Sequence, residues 1–352
     1  VSVLVRRPRD LDEGWARRVL ADAAPGVVVR GVETRSVDVG TTTRVRLRVD
    51  HDGPQSLPRT WFVKLPSRSW KAWAVTALPR LPQTEVRFYN DVAQLLPRVT
   101  TPRVLAADSQ IGRGFLLVLE DVTERGARPG SPGDALDAEQ AGLVIEQLAL
   151  LHASHWEHSD LDGRLAWLAG PVRRLEDGLG TALAVPLMRR GLDLAGDVIP
   201  RHLRHPALRY ARRRRRAMRF LSAGPRTLIH HDCHPGNLYW QEGAPGLLDW
   251  QLVRIGEGVG DVAYLLATAL QPETRRAHED ALLERYASAL AAAGVDLPPN
   301  LHQRYRAHLT YAFEAMVVTL AVGGLMDEAV ISELVRRTAA AVDDCASFAA
   351  VE

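Results

Sequence analysis

Apolar and polar residues alternate from Val27 to about Val49, with Val37, Val39, Val45, Leu47 and Val49 carrying the pattern and Gly40 interrupting it. A period of two in β-branched residues predicts a hairpin that turns at Gly40. A polar loop from His51 to Arg59 contains Asp52-Gly53-Pro54, and Trp61-Phe62-Val63-Lys64-Leu65 then predicts a third strand ended by Pro66. Val86, Tyr89, Val92 and Leu96 recur at helical spacing, which predicts a helix over Thr84 to Leu96 with Thr84 near its N-cap. A strand near Arg103 to Ala106 and the apolar run Phe115 to Leu119 follow.

The chain then changes character. Gly126 to Gly133 is rich in Gly and Pro, and nearly everything beyond it has helical period. Val144, Leu148, Leu151 and His155 form one stripe of a helix from about Asp137 to Trp156, predicted to be central and buried. Further helices are expected over about Val185 to Leu194, Pro206 to Leu221, Gly260 to Leu270, Ala277 to Gly294, Asn300 to Gly324 and Asp327 to Ala349. Strands first and helices afterwards give an α+β chain, with an N-terminal lobe over 1–121 and a mostly helical C-terminal lobe over 122–352.

Composition narrows the function classes. The 352 residues suffice for two lobes, each with its own core. A net charge of +2 gives no global field that would favour nucleic acid or a membrane surface. The longest apolar run, Ala315 to Met326, is closed by Glu314 and Asp327 and falls short of the roughly 20 residues a bilayer requires. Val1 to Asp10 lacks the layout of a secretory signal, and two cysteines, Cys233 and Cys345, are too few for a disulfide framework, so a cytoplasmic setting is expected. Of the 44 Lys and Arg residues, only Lys64 and Lys71 are lysine. Such a bias suggests a GC-rich genome and singles out any remaining lysine, because ammonium and guanidinium are not equivalent at a tight phosphate site.

The chemistry concentrates in Thr227-Leu228-Ile229-His230-His231-Asp232-Cys233-His234-Pro235-Gly236-Asn237 and in Gly246-Leu247-Leu248-Asp249-Trp250-Gln251. Phosphoryl transfer needs metal ligands, charge neutralisation and a carboxylate that aligns the nucleophile. The polar loop offers a base and one oxygen ligand, and Asp249, expected on the following apolar strand, offers a second; magnesium prefers such hard oxygens.

His230-x-Asp232 followed by Asn237, then a strand ending in Asp249, resembles the catalytic loop and metal-binding acid of protein kinases. With Asn five residues after Asp, and Asp249-Trp250-Gln251 in place of Asp-Phe-Gly, the pattern is similar to the aminoglycoside phosphotransferase and choline kinase group. Gly256, Gly258, Gly260, Asp261 and Ala263-Tyr264-Leu265 resemble its ecdysteroid-kinase-like branch, and the match in order spans roughly Val37 to Leu270. The resemblance implies a protein-kinase-like two-lobe fold, with an N-terminal antiparallel sheet and one main helix forming a nucleotide-binding lobe. It implies Asp232 as catalytic base, Asn237 and Asp249 as Mg2+ ligands, and His230 as a packing residue that orients the loop. Asp261 would cap the following helix and brace the loop from behind. Lys64 and Glu85 would grip the phosphates of ATP or GTP. Val39-Gly40-Thr41-Thr42-Thr43 has a single glycine, so Thr41 and Thr42 would contact phosphate through amides and hydroxyls. Glu120 to Val122 would present main-chain groups to the purine.

Competing readings attach to the same residues. His230, His231, Cys233 and His234 could be read as zinc ligands, but no partner pair stands at finger-like spacing and neighbours in so short a loop cannot all face one ion. Arg212 to Arg216, with Arg209 and Arg219 on either side, wraps around a helix without aromatic interleaving, which reads as a solvated helix rather than a nucleic-acid site, with attraction of phosphate or an acidic substrate as the alternative. Trp240 and Trp250 are the tryptophans nearest the loop and the candidates for a substrate pocket; Trp70, Trp73, Trp156 and Trp167 read as packing residues. The acceptor is expected to be a small hydroxylated molecule received by about 150–220 and 270–350. Antibiotic modification, for resistance or self-protection, follows by analogy. The lack of a dense acidic cluster there favours a nucleoside or sugar-bearing antibiotic over an aminoglycoside. A kinase of a primary-metabolite alcohol, choline-like or sugar, is the alternative. A non-catalytic nucleotide-binding module is a second, against which the complete set Lys64, Glu85, Asp232, Asn237 and Asp249 argues.

Overall fold

The computed structural model describes residues 2–40, 42–67, 81–110, 112–297 and 299–352. Thr41, Trp70, Lys71 and Trp73 lie outside the described residues. The chain forms two compact units. The first comprises Val1–Pro129, Tyr239–Gly243 and Leu247–Leu252; the second comprises Gly130–Leu238, Ala244–Gly246 and Val253–Glu352.

The first unit is built on a five-stranded antiparallel sheet. Its strands are β1 (Val29–Val39), β2 (Thr42–His51), β3 (Thr60–Pro66), β4 (Val104–Gln110) and β5 (Gly114–Glu120), in the order β1-β2-β3-β5-β4. Alternation decides its faces. Val45, Leu47 and Val49 of β2 and Trp61, Val63 and Leu65 of β3 share one buried cluster with Trp15, Val19 and Leu20 of helix α1 (Glu13–Ala23). Trp15 meets Trp61 edge to face at 5.9 Å, and Asp12 caps α1 by accepting from the Trp15 amide at 2.7 Å. Helix α2 (Leu81–Asp91) begins earlier than the sequence pattern suggests, so Thr84 lies inside it and is not its N-cap. Pro82 carries the missed signal, since a residue without an amide hydrogen is tolerated in a helix's first turn. The expected helical continuation becomes a single 3-10 turn over Ala93–Leu95.

The second unit is mostly helical. Helix α3 (Ala138–Ser154) opens with a capping box in which Asp137 and Gln140 each accept from the other's amide, at 2.8 and 3.1 Å. Helices α4 (Pro171–Ala195), α5 (Arg201–Arg212), α6 (Arg214–Leu221), α7 (Val259–Ala269), α8 (Pro272–Ala292), α9 (Leu301–Val322) and α10 (Glu328–Asp344) follow. The arginine run is not one solvated helix. The helix breaks at Arg213, and Arg214 is buried, donating to Glu314 at 2.5 Å while Tyr210 holds the other oxygen of that carboxylate at 2.8 Å. Among the described residues no helix is long and apolar enough to cross a membrane.

Helix α4 starts well before the expected Val185. Gly178, Gly180 and Pro186 lower its propensity, and packing along α9 compensates. Gly191 makes the approach possible: a Cβ there would lie 2.5 Å from the Val317 carbonyl oxygen. Gly191→Ala should therefore cost about 1–3 kcal/mol in urea unfolding. Gly178→Ala on the same helix, where a Cβ meets nothing within 4 Å, should stabilise by up to about 1 kcal/mol.

Candidate active site

Lys64 is set by strand alternation. Val63 and Leu65 face the α1 cluster, so Lys64 turns to the opposite side of β3 and is 6 % exposed. Its Nζ donates to both carboxylate oxygens of Glu85, at 2.8 and 2.9 Å, and lies 3.4 Å from Oδ2 of Asp249. Burial works against the ammonium, but the charges of Asp249 and Glu85 outweigh it and hold its pKa above the ordinary value. Burial pushes the Glu85 carboxyl up to about 7, against the pull of Lys64.

Asp249 is not on a strand, contrary to the sequence expectation. The strand over Ala244–Leu247 ends two residues earlier, and Asp249 has φ +59 immediately before a 3-10 turn over Trp250–Leu252. The cause is Trp250, which is fully buried and stacked on Phe88 of α2 with ring centroids 4.1 Å apart and planes 9° apart. Trp250 is thus a packing anchor rather than part of a substrate pocket. Gly40 donates to the Thr42 carbonyl at 3.0 Å, closing the phosphate-turn candidate on itself, and Thr43 donates to the Pro66 carbonyl at 3.3 Å. Thr42 is buried; Thr41 lies outside the described residues. Glu120 accepts from the Arg103 amide and pairs with Arg125, both at 2.9 Å, and the Val122 side chain packs with Ala127, Tyr239 and Leu248. With its carboxylate so engaged, Glu120 could serve a nucleotide only through its main chain.

In the second unit, β6 (Thr227–Ile229) pairs antiparallel with β7 (Arg254–Gly256), and the polar loop leaves the end of β6. Asp261, in the first turn of α7, accepts from the consecutive amides of His230 and His231 at 2.6 and 2.7 Å. Its carboxylate also meets Nε2 of His152 at 3.2 Å, while Nδ1 of His152 faces the Tyr286 hydroxyl at 2.8 Å. Asp261 therefore braces the loop as expected, but it caps nothing, since it sits inside the helix. Gly258 is required beside it: a Cβ there would lie 2.6 Å from the Tyr286 oxygen.

The brace delivers Asp232. Buried His230 accepts from the Asp232 amide through Nδ1 at 3.3 Å, as an orienting residue should. One carboxylate oxygen of Asp232 accepts from Tyr264 at 2.8 Å, and the other from the Asn237 amide nitrogen at 3.0 Å. That nitrogen also donates to the Asp232 carbonyl at 2.8 Å, which leaves the Asn237 carbonyl oxygen available to a cation. The Asn237 and Asp249 oxygens are of the hard type that magnesium takes. Zinc is disfavoured. Burial pushes the Cys233 thiol well up, so it stays protonated and donates to the Asp261 carbonyl, and His230 is already engaged. Among the described residues no group of three or more His, Cys, Asp or Glu is arranged to hold a metal.

Sequence reasoning assigned Tyr264 no role of its own. Its signal was the spacing from Asp261, since residues three apart share a helix face. It also missed the support of His231, which has φ +69. Its ring stacks on Tyr311 at 4.3 Å and accepts from Arg254 at 3.2 Å, and Asp177 holds Arg254 at 2.9 Å. His231, Tyr264 and Tyr311 line a cavity of about 560 Å³ whose walls come entirely from the second unit. Trp240 does not line it.

Burial, then the charges of Arg254, Arg173, His308 and Arg214, hold the His231 pKa well below its ordinary value. An imidazole that protonates more readily unfolded than folded lowers stability as pH falls below about 6.5. Wild type should lose at most about 1.4 kcal/mol per pH unit there from this residue. His231→Asn, which tolerates the left-handed backbone, should flatten that acid limb in urea unfolding between about pH 7.5 and 5.

The chain is 30% identical over 236 residues to the N-acetylmuramate/N-acetylglucosamine kinase of Pseudomonas aeruginosa, covering 64% of this chain and 62% of that protein, so it spans less than two thirds of that relative's length. The fold resembles an ethanolamine kinase of Plasmodium vivax (TM-score 0.50, 13% identity, 99% of this chain and 92% of that one). It also resembles aminoglycoside 2'-phosphotransferase-IIIa in its GDP complex (TM-score 0.50, 14% identity, 95% and 98%). These are protein-kinase-like folds, as the sequence implied. The model of the phosphotransferase enzyme family matches residues 33–302, and the chain belongs to that family.

Proposed function

We propose that this protein transfers the γ-phosphoryl group of ATP or GTP to a hydroxyl of a small molecule. The observation that carries the reading is Asp232, clamped by Tyr264 and Asn237 on a loop whose neighbours His231 and Tyr264 line a 560 Å³ cavity. A cavity of that size suits a small organic ligand. A bond forms between the acceptor oxygen and the γ-phosphorus, the bond to the departing nucleoside diphosphate breaks, and the hydroxyl proton passes to Asp232. Lys64, fixed by Glu85, supplies positive charge for the phosphates. Magnesium, held by Asn237 and Asp249, would neutralise the phosphates when bound. The Thr41–Thr42 turn would cover phosphate, and the main chain of Glu120 and Val122 would meet the base.

A sugar hydroxyl is the acceptor this reading favours, on an antibiotic or on a sugar metabolite. The likeness to an amino-sugar kinase supports the metabolite, and the group this sequence resembles supports the antibiotic. A reducing, cytoplasmic setting belongs to the same reading, supported by Cys233 and Cys345 both being free thiols.

Purified protein with ATP or GTP, magnesium and a panel of sugars and sugar-bearing antibiotics should yield a product heavier by one phosphate. Asp232→Asn should lower kcat by about 10²-fold or more while nucleotide affinity, read by calorimetry, stays near wild type. Lys64→Ala should weaken nucleotide binding instead. Wild-type turnover in Asp232→Asn would remove this residue as the base.

A further inference from the structure

The cavity in the second unit carries more positive charge than its carboxylates neutralise. Asp177, Glu257 and Asp261 line it, and each is already engaged. Both oxygens of Asp177 accept from Arg254, at 2.9 and 3.1 Å. Glu257 is held by Arg304 and by His308, at 3.0 Å from the latter, and Asp261 accepts the two loop amides. A cationic acceptor would find no carboxylate there without a competing partner.

The guanidinium groups are used differently. Arg173, Arg226 and Arg254 are spent on Glu176, Asp162 and Asp177. Arg174 donates only to the Ala169 carbonyl, at 3.2 Å, and Arg215 and Arg219 have no acidic partner among the described residues. Helix geometry puts the last two together, because residues four apart share a face. Arg214, one residue away, turns inward to Glu314. Arg174 comes from α4, so two helices bring three unopposed guanidinium groups to one cavity, whose other walls include apolar Leu168, Met218, Ile229 and Ile255.

We propose that the acceptor is a sugar-sized molecule carrying an acidic group, a carboxylate or a phosphate, which Arg174, Arg215 and Arg219 receive while its hydroxyl is presented to Asp232. The planar fork of arginine suits both anions through paired N–H donors. A quaternary ammonium or a polyamine would meet like charge here. The inference rests on the phosphotransferase reading and names the chemical class of its acceptor.

The test is a charge-matched series at low ionic strength, with ATP and magnesium and the full chain: glucuronate, glucose 1-phosphate, glucose and glucosamine. The acid-bearing members should exceed glucose in kcat/KM by tenfold or more, with glucosamine poorest, and added salt should shrink the gap. The relative rates of glucuronate and glucose 1-phosphate tell which anion is preferred. Arg215→Gln with Arg219→Gln should raise KM for the acid-bearing members about tenfold with kcat retained, and the paired Lys variants should keep most of the preference. Preference for glucose or glucosamine, an unchanged ratio in the Gln pair, or failure of both acid-bearing sugars to bind and react would each overturn the inference. Where nucleotide binding and slow Asp232-dependent hydrolysis persist in that last case, the phosphotransferase reading stands and only the charge assignment falls; loss of nucleotide binding would take both.

Discussion

The carboxylate of Asp261 is the constraint on which the second unit's chemistry depends. Two consecutive backbone amides point at one acid only if the chain between them is turned sharply, and the left-handed His231 is the residue that turns it. His152 and Tyr286 support the acid from behind, and Gly258 leaves room for them. A buried carboxylate that accepts from several donors holds each of them in place. Asp232 thereby inherits a defined position without being the residue that creates it.

The first unit solves a different electrostatic problem. It buries one ammonium, and it does so by setting Glu85 at hydrogen-bond distance and Asp249 a little further away. Charge removed from water costs several kcal/mol per ion unless it is paired with good geometry. The stacked rings of Phe88 and Trp250 supply that geometry, because they fix the turn on which Asp249 stands. His231 and Asp249 are two of the five described non-glycine residues with a left-handed backbone. Both stand beside or within the candidate chemistry, where such conformations tend to be retained.

Much of this was legible in the chain. Alternation in Val45 to Val49 and Trp61 to Leu65 predicted strands of the sheet, and the spacing of Asp232, Asn237 and Asp249 singled out the polar loop as the candidate. Helix ends were less legible where the signal was indirect, as with Pro82 ahead of Thr84, or where packing against α9 overrode Gly178, Gly180 and Pro186 in α4. Helix α1 lay under Arg17 and Arg18, which dilute its apolar stripe. The Asp177–Arg254–His231 chain joins residues up to 77 positions apart, and no local pattern encodes a partner at that distance.

The chain leaves the second unit at Leu238, contributes Tyr239–Gly243 to the first, returns for Ala244–Gly246, contributes Leu247–Leu252 to the first and goes back at Val253. Neither unit is therefore a contiguous stretch of sequence. A fragment ending at Pro129 would carry Lys64 and Glu85 but not Asp249, and Phe88 without its stacked indole. Recombination that exchanged the helical half as one block would carry away part of the first unit's own charge balance. Diversification of such a protein is thus expected to proceed through substitutions on helices such as α4 and α6, and not through the shuffling of whole segments.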